Sequence, residues 1–243
     1  GSNLANIGLI LGVTALVRPL DVRVRVVWRE MPLMLLVTLA LYPLAWDGVL
    51  SRGDGVLLLF ALVAYLIFVF YSVEDEAPEI LGEYEEFMKE SDRTTSLVSG
   101  TDVLWVIAGS ACLVLGGICI VAGAVEIASS LGISEVVIGL TVVAVGTSLP
   151  ELATSLVAAL RSEADIAVGN VIGSNIFNVA AILGTASVVS PLAIPSHVLT
   201  RELAVVVAMS LLLFPILRTR WRIRRWEGAL LLACYVGAVT WLL

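Results

Sequence analysis

Charge, histidine and cysteine are all scarce in this chain, and each shortage excludes a class of protein. Asp, Glu, Lys and Arg make up 14% of the 243 residues, whereas soluble domains carry about 25%. The single histidine leaves little for acid–base catalysis, and the net charge of −7 argues against nucleic acid as a partner. Cys112, Cys119 and Cys234 have neither paired nor metal-type spacing, so the sequence indicates no disulfide framework and no zinc site.

Hydrophobic sequence takes the place of these groups. Hydrophobic residues make up 59% of the chain, and the mean hydropathy is +1.02. We expect an all-α, polytopic protein in a lipid bilayer, because a helix satisfies its own backbone in lipid and about 20 apolar residues cross it. Eight apolar segments can be counted, at residues 4–17, 31–47, 54–73, 102–128, 135–160, 165–190, 198–217 and 226–243.

Two of these segments carry polar motifs that an ordinary membrane helix lacks. The first is Gly146-Thr147-Ser148-Leu149-Pro150-Glu151, and the second runs Gly169-Asn170-Val171-Ile172-Gly173-Ser174-Asn175-Ile176-Phe177-Asn178. Glycine and proline inside an apolar segment release backbone carbonyls from the helical ladder, and such carbonyls need protein or a polar cavity beside them. The motifs therefore predict discontinuous helices at both places.

Glu151 stands about two-thirds of the way along the apolar sequence 136–160, hence deep in the bilayer. An ionised carboxylate there costs roughly 2.5 kcal/mol or more unless it has a partner. Helical spacing puts Thr147, Ser148 and Ser155 on the face of Glu151, and Ser174 lies four residues from Asn178. If these two helix faces meet, their side-chain oxygens would be suitable ligands for a hard cation.

These motifs, with Ile138-Gly139-Leu140-Thr141 before them, resemble the second alpha-repeat of the sodium/calcium exchangers, within the cation/calcium antiporter superfamily. The resemblance implies a prokaryotic-type minimal exchanger rather than an enzyme. It would move Ca²⁺ against Na⁺ by alternating access, with no cofactor. It also implies a ligand set of carboxylate, hydroxyl, amide and main-chain oxygens, namely Glu151, Thr147, Ser148, Ala144, Ser174, Asn178, Ser2 and Asn6.

Ser2 and Asn6 belong to that set because the sequence contains an internal duplication. Gly1-Ser2-Asn3-Leu4-Ala5-Asn6 is matched 172 residues later by Gly173-Ser174-Asn175-Ile176-Phe177-Asn178, and Arg29-Glu30 is matched by Arg201-Glu202. We expect inverted five-helix repeats: the last three helices of one copy at 1–73, an acidic linker at 74–100, and a complete second copy at 101–243. About eight of ten helices would then be present, and the first copy's own counterpart of Glu151 would precede Gly1. That counterpart would supply the second negative charge that a divalent cation needs.

The basic residues predict the orientation of the chain, because Lys and Arg accumulate in cytoplasmic loops. If connections alternate between faces, one face receives twelve basic residues and the other only Arg52 and Arg201. We therefore expect a multi-pass protein of the cell membrane with the loop 74–100 in the cytoplasm and the C-terminus outside.

Three alternatives stay open. A relative coupled to H⁺ or K⁺ is one. Asn178 stands where potassium-dependent relatives, and some sodium/calcium exchangers, carry an acid, which argues against K⁺ but does not exclude H⁺. A remote second is an intramembrane serine hydrolase using Ser148, but its base would have to be His197, outside the apolar segments. The third is a chain that transports nothing by itself, which a vesicle flux assay would reveal.

Overall fold

The computed structural model describes residues 1–24, 26–74, 100–132, 138–218 and 221–242. Most of the acidic linker predicted at 74–100 lies outside them. The helices are α1 (Ser2–Val17), α2 (Val26–Leu44), α3 (Arg52–Glu74), α4 (Gly100–Ser130), α5 (Thr141–Thr147), α6 (Leu149–Leu160), α7 (Ala164–Val189), α8 (Val198–Arg218) and α9 (Arg225–Leu242). Four short strands are β1 (Leu20–Asp21), β2 (Val49–Leu50), β3 (Leu192–Ala193) and β4 (Arg222–Ile223).

The outward surfaces of these helices are apolar, as lipid-facing surfaces must be. On α3 and α4, Phe60, Phe70 and Trp105 are all about 70% exposed or more. Five described helices are long and apolar enough to cross a membrane, and a sixth span results if the bent pair α5–α6 is counted as one. The prediction of a polytopic all-α membrane protein is confirmed, whereas the count of eight spans stays a prediction.

Helices α1 and α7 lie at the centre of the bundle. Leu4, Ile7 and Leu11 of α1 are fully buried, and so are Val171 and Ile172 of α7. These are the two helices that carry the duplicated Ser-Asn-x-x-Asn sequence. The polar groups of both copies are therefore placed in the protein interior, away from the lipid.

Contacts between the two copies occur in duplicate, with the copies exchanged. Strand β1 pairs antiparallel with β4, and β2 pairs with β3, with Leu20 opposite Ile223 and Leu50 opposite Leu192. Helices α3 and α9 also begin alike. The backbone N–H of Ser51 donates to Asp54 at 2.8 Å, and that of Arg224 donates to Glu227 at 2.7 Å. This duplication is the pattern expected of a pseudo-two-fold arrangement.

Paired glycines let the helices of the two copies touch. A Cβ added at Gly228 of α9 would lie 2.8 Å from the carbonyl oxygen of Gly12 on α1. A Cβ added at Gly55 of α3 would lie 2.7 Å from the carbonyl oxygen of Gly184 on α7. Real side chains do not approach backbone so closely, so each crossing requires glycine.

The connections gather at two ends of the bundle. At one end, the β1–β4 ladder joins the connection after α1 to the one before α9, and Arg23 forms an ion pair with Asp165 at 2.8 Å. Arg18 donates to the carbonyl of Leu160 at the same end, at 2.9 Å. The β2–β3 ladder joins the connections at the other end. Which end faces the cytoplasm stays a prediction from the basic residues.

We predict that Gly228→Val destabilises the protein, because the added side chain has no room at the α1–α9 crossing. Overpacking of this kind costs roughly 1–3 kcal/mol. The measurement is the melting temperature in detergent. Gly237→Val is the matched control, since it introduces the same residue into α9 where a Cβ meets nothing within 4 Å. Equal melting temperatures for the two variants would contradict the crossing.

We also predict opposite accessibility for two single cysteines, Val24→Cys and Ser196→Cys, in a background without the three native cysteines. Both positions are exposed, and they lie at opposite ends of the bundle. An impermeant thiol reagent should reach position 24 only from the cytoplasm and position 196 only from outside. Labelling of both from one side would refute the arrangement of the ends, and a swapped result would refute the orientation.

Candidate cation-binding site

A break between α5 and α6 positions the acidic residue of the first motif. The two helices meet at Ser148 with a bend of 48°, and Pro150 follows in the first turn of α6. Proline has no N–H to continue the ladder, so the chain restarts a helix there. Gly146 packs against Val121 of α4 with no room for a side chain. The predicted discontinuity is therefore present in the first motif.

The second motif behaves differently, because α7 continues from Ala164 to Val189 without a break. Its irregularity is a widened, π-helical turn over Asn178–Leu183. Gly169 and Gly173 stay helical, and a Cβ at either would meet nothing within 4 Å. The prediction that both motifs interrupt their helices is thus wrong for α7, where glycine leaves open space instead of breaking the ladder.

Glu151 lies in the first turn of α6, with one carboxylate oxygen buried. This oxygen, Oε2, has no hydrogen-bond partner among the described residues. The carboxylate lines a cavity of about 410 Å³ together with Tyr65, Asn170, Ser174 and Asn178. The positive end of a helix macrodipole favours a negative group in this position, but a buried carboxylate oxygen still needs a partner.

Asn170 ties the helix of Glu151 to α7. Its Nδ2 lies 3.2 Å from the carbonyl oxygen of Glu151, 3.1 Å from Thr154 Oγ1 and 3.0 Å from Ser155 Oγ. An amide carries two hydrogens, so these three acceptors share them. The bonds hold the first two turns of α6 against α7 and thereby fix the direction of Glu151.

A second group of polar side chains joins the two copies beside this cavity. The hydroxyls of Ser2 and Ser148 are hydrogen bonded at 2.9 Å, and Asn178 Nδ2 donates to Ser2 Oγ at 3.2 Å. Asn6 Nδ2 donates to Asn175 Oδ1 at 3.1 Å. Asn6, Ser148 and Asn175 are buried. These contacts bring α1, α7 and the break at Ser148 to one place.

Most of the residues predicted as ligands are therefore brought close together, in two adjoining sets. Glu151, Ser174 and Asn178 share the cavity, and Ser2, Ser148 and Asn178 share hydrogen bonds. Asn6 lies beside these residues and is connected to α7 by its hydrogen bond to Asn175. Ser174 faces the cavity directly.

Thr147 and Ala144 are placed differently from the expectation. Thr147 is exposed and lines an apolar cavity against α4, with Gly117, Val121 and Pro150 among its neighbours. Its hydroxyl donates to the carbonyl of Ala144 at 3.2 Å. The bend at Ser148 explains the difference, because residues before a bend do not share the face of residues after it.

Four residues of this region were not in the predicted ligand set. Asn170 and Asn175 are letters of the second motif, and Asn3 is the counterpart of Asn175 in the other copy, so the sequence did contain a signal for them. Tyr65 had none. It reaches the cavity only because α3 packs on α7.

The arrangement can hold a hard cation. Carboxylate, hydroxyl and amide oxygens suit Na⁺ or Ca²⁺. Among the described residues, no cluster of three or more His, Cys, Asp or Glu could hold a metal of another kind. Fold and site together define a polytopic helical membrane protein with an oxygen-bearing candidate cation site between its central helices.

Comparison with known proteins agrees with this class. The profile of the family described as sodium/calcium exchanger protein matches residues 1–71 and 101–243. The chain is 40% identical over 242 residues to CaxA of Alkalimonas amylolytica, covering 98% of this chain and 74% of CaxA. It is 42% identical over 80 residues to the sodium/calcium exchanger MaX1 of Methanosarcina acetivorans, covering 33% of this chain and 23% of MaX1.

A solved structure gives the same answer. The sodium-calcium exchanger NCX_Mj, in a crystal soaked with Na⁺ and Ca²⁺, superimposes with a TM-score of 0.76 at 33% identity, covering 100% of this chain and 74% of NCX_Mj. The chain therefore belongs to the sodium/calcium exchanger family. Its relatives are transporters and not enzymes, which removes the serine hydrolase alternative; the hydroxyl of Ser148 is bonded to Ser2.

Proposed function

We propose that this protein is a secondary antiporter that exchanges Na⁺ for Ca²⁺ by alternating access. Two observations on Glu151 carry the proposal: its buried Oε2 lacks a hydrogen-bond partner among the described residues, and the residue lines a cavity together with hydroxyl- and amide-bearing side chains. A cation is the partner that such an oxygen needs. Membership of the exchanger family supports Na⁺ and Ca²⁺ as the ions.

The proposed ligands divide by position. Glu151 contributes the charge, while Ser174 and Asn178 contribute neutral oxygens from the opposite wall of the cavity. Ser2, Ser148 and Asn6 complete the set from the cluster beside it. Ala144 and Thr147 would join only after the bond between the Thr147 hydroxyl and the Ala144 carbonyl is released.

Two cavities meet at Asn178, and this supports alternating access. Besides the cavity of Glu151, Asn178 lines another of about 270 Å³, together with Ser2, Asn3 and Glu202. An ion that passes from one cavity to the other would pass this amide. One site that each ion can enter only after the other has left is the requirement for exchange.

The organisation of the chain belongs to the same proposal. Residues 1–73 would be the last three helices of one repeat, 74–100 a cytoplasmic linker, and 101–243 the five helices of an inverted second repeat. The C-terminus would lie outside the cell membrane. The duplicated strand ladders and glycine crossings support two related copies.

We predict that Glu151→Gln abolishes Na⁺-driven Ca²⁺ uptake into proteoliposomes and leaves the melting temperature unchanged. The substitution keeps size and hydrogen bonding but removes the charge. A unit charge 4 Å from a cation is worth about 4 kcal/mol at an effective dielectric constant of 20, which is about a thousandfold in affinity. Glu126→Gln on α4 is the matched control, since Glu126 is exposed and does not line the cavity.

Normal uptake by Glu151→Gln at equal protein density would sink the assignment of the site. Equal loss in the Glu126→Gln control would show instead that the assay responds to any lost carboxylate.

We predict that Asn178→Asp weakens Na⁺/Ca²⁺ exchange and makes it depend on pH or K⁺. The new carboxylate lies in the cavity of Glu151, and its charge must be matched by a proton or an extra monovalent cation. Uptake is measured across pH values and with or without K⁺. Flux that is unchanged in every condition would place Asn178 away from the ions, and wild-type flux that already needs K⁺ or a proton gradient would favour the alternative coupling.

A further inference from the structure

Two asparagines outside the proposed ligand set occupy equivalent positions in the two copies. Asn3 on α1 and Asn175 on α7 each follow the serine of the Ser-Asn-x-x-Asn sequence. Asn175 is 1% exposed. Neither residue lines the cavity of Glu151. Asn3 does line the neighbouring cavity of about 270 Å³, but both ends of its amide are hydrogen bonded to α7, so its placement does not indicate a direct cation ligand.

Each of these asparagines accepts a hydrogen bond from a proposed ligand of the other copy. Asn178 Nδ2 donates to Asn3 Oδ1 at 2.8 Å, and Asn6 Nδ2 donates to Asn175 Oδ1 at 3.1 Å. The two bonds are related by exchange of the copies, because Asn178 corresponds to Asn6 and Asn3 to Asn175. Because the bond occurs twice with the copies exchanged, it reflects the pseudo-two-fold relation between the copies and not the sequence of one helix alone.

These hydrogen bonds determine which end of the Asn178 and Asn6 amides is bonded to the protein and which end is not. A carboxamide has an oxygen that attracts a cation and an NH₂ group that repels it. The NH₂ of Asn178 is occupied twice, by Asn3 Oδ1 and by Ser2 Oγ. The Oδ1 of Asn6 is buried without a hydrogen-bond partner among the described residues. In both cases the NH₂ group is the hydrogen-bonded end of the amide.

The accepting asparagines are themselves fixed. Asn3 Nδ2 donates to the backbone carbonyl of Asn175 at 3.2 Å, and Asn175 Nδ2 points to the sulfur of Met34 at 3.5 Å. If the side-chain amide of Asn3 were rotated by 180°, its NH₂ group would face the NH₂ group of Asn178. The same rotation of Asn175 would bring its NH₂ group against that of Asn6. The direction of the ligand amides is therefore set by groups outside the cavity of Glu151.

We propose that Asn3 and Asn175 are positioning residues that keep the Oδ1 atoms of Asn178 and Asn6 turned toward the transported cation. The inference rests on the proposed function, since it assumes that a cation binds at these oxygens. Cation affinity then depends on two residues that do not touch the ion.

The test is a pair of double-mutant cycles. Asn175→Leu is combined with Asn6→Leu, and Asn3→Leu with Asn178→Leu; leucine has similar size and no acceptor. The measured quantities are the Ca²⁺ concentration for half-maximal Na⁺-driven uptake, the maximal rate, and the rise in melting temperature caused by Ca²⁺. Ser210→Ala on α8 is the control, because it removes a buried hydroxyl bonded only within its own helix, to Val206.

We expect Asn175→Leu to raise the half-saturating Ca²⁺ concentration about tenfold, the equivalent of one lost hydrogen bond, with the maximal rate within about twofold of wild type. In the Asn6→Leu background the same change should add nothing, since no amide remains to be held. The Asn3 and Asn178 pair should behave alike, and it keeps the test decisive if a leucine at the more buried position 175 prevents folding. Ser210→Ala should match wild type.

Equal effects of Asn175→Leu in both backgrounds would overturn the inference, and so would a lower maximal rate with unchanged half-saturation. The melting shift separates this failure from failure of the proposed function. If wild type is stabilised by Ca²⁺ but carries no Na⁺-driven flux, exchange is wrong and the cycles are scored on stabilisation alone. If Ca²⁺ neither moves nor stabilises the wild-type protein, both are wrong.

Discussion

A carboxylate inside a membrane protein with a buried, unpaired oxygen is the constraint on which this site depends. An ionised Glu151 is energetically unfavourable in an apolar segment, so the surrounding structure has to stabilise its carboxylate. The bend at Ser148 puts Glu151 at the start of a helix, where backbone dipoles favour it. Asn170 then fixes that helix to α7. Glu151 and Gly173 line the same cavity, and a Cβ added at Gly173 would meet nothing within 4 Å.

The other side chains that line the cavity of Glu151 are neutral, and this suits the proposed exchange, in which the site must release its ion. Hydroxyl and amide oxygens would replace part of a cation's hydration shell without adding charge. The neutral groups also bond to one another, as Ser2, Ser148 and Asn178 do. The polar side chains of this cluster are thus satisfied in part by each other, which lowers the cost of burying them.

The sequence predicted the parts of the site that depend on composition and repetition. It predicted that Glu151, Ser174 and Asn178 would lie together, as they do around one cavity, and it predicted the break at the proline motif; their role as cation ligands stays a prediction. The prediction was wrong where a local bend in the chain determines the direction of a side chain. Treating 136–160 as one regular helix put Thr147 on the face of Glu151, but the 48° change at Ser148 sends Thr147 toward α4. It also missed Tyr65, whose approach to the cavity comes from packing between distant helices, and the two-residue strand ladders between connections.

Duplicated contacts have a consequence for transport that no single copy could supply. The glycine crossings, the strand ladders and the amide bonds from Asn6 to Asn175 and from Asn178 to Asn3 each have a partner in which the copies are exchanged. A conformation in which one copy is displaced and the other is not should therefore have a counterpart of similar energy, with the displacement exchanged. Two such states separated by a repacking barrier form a bistable element. In the exchange that we propose, a difference in how Na⁺ and Ca²⁺ bind the two states would shift the population between them.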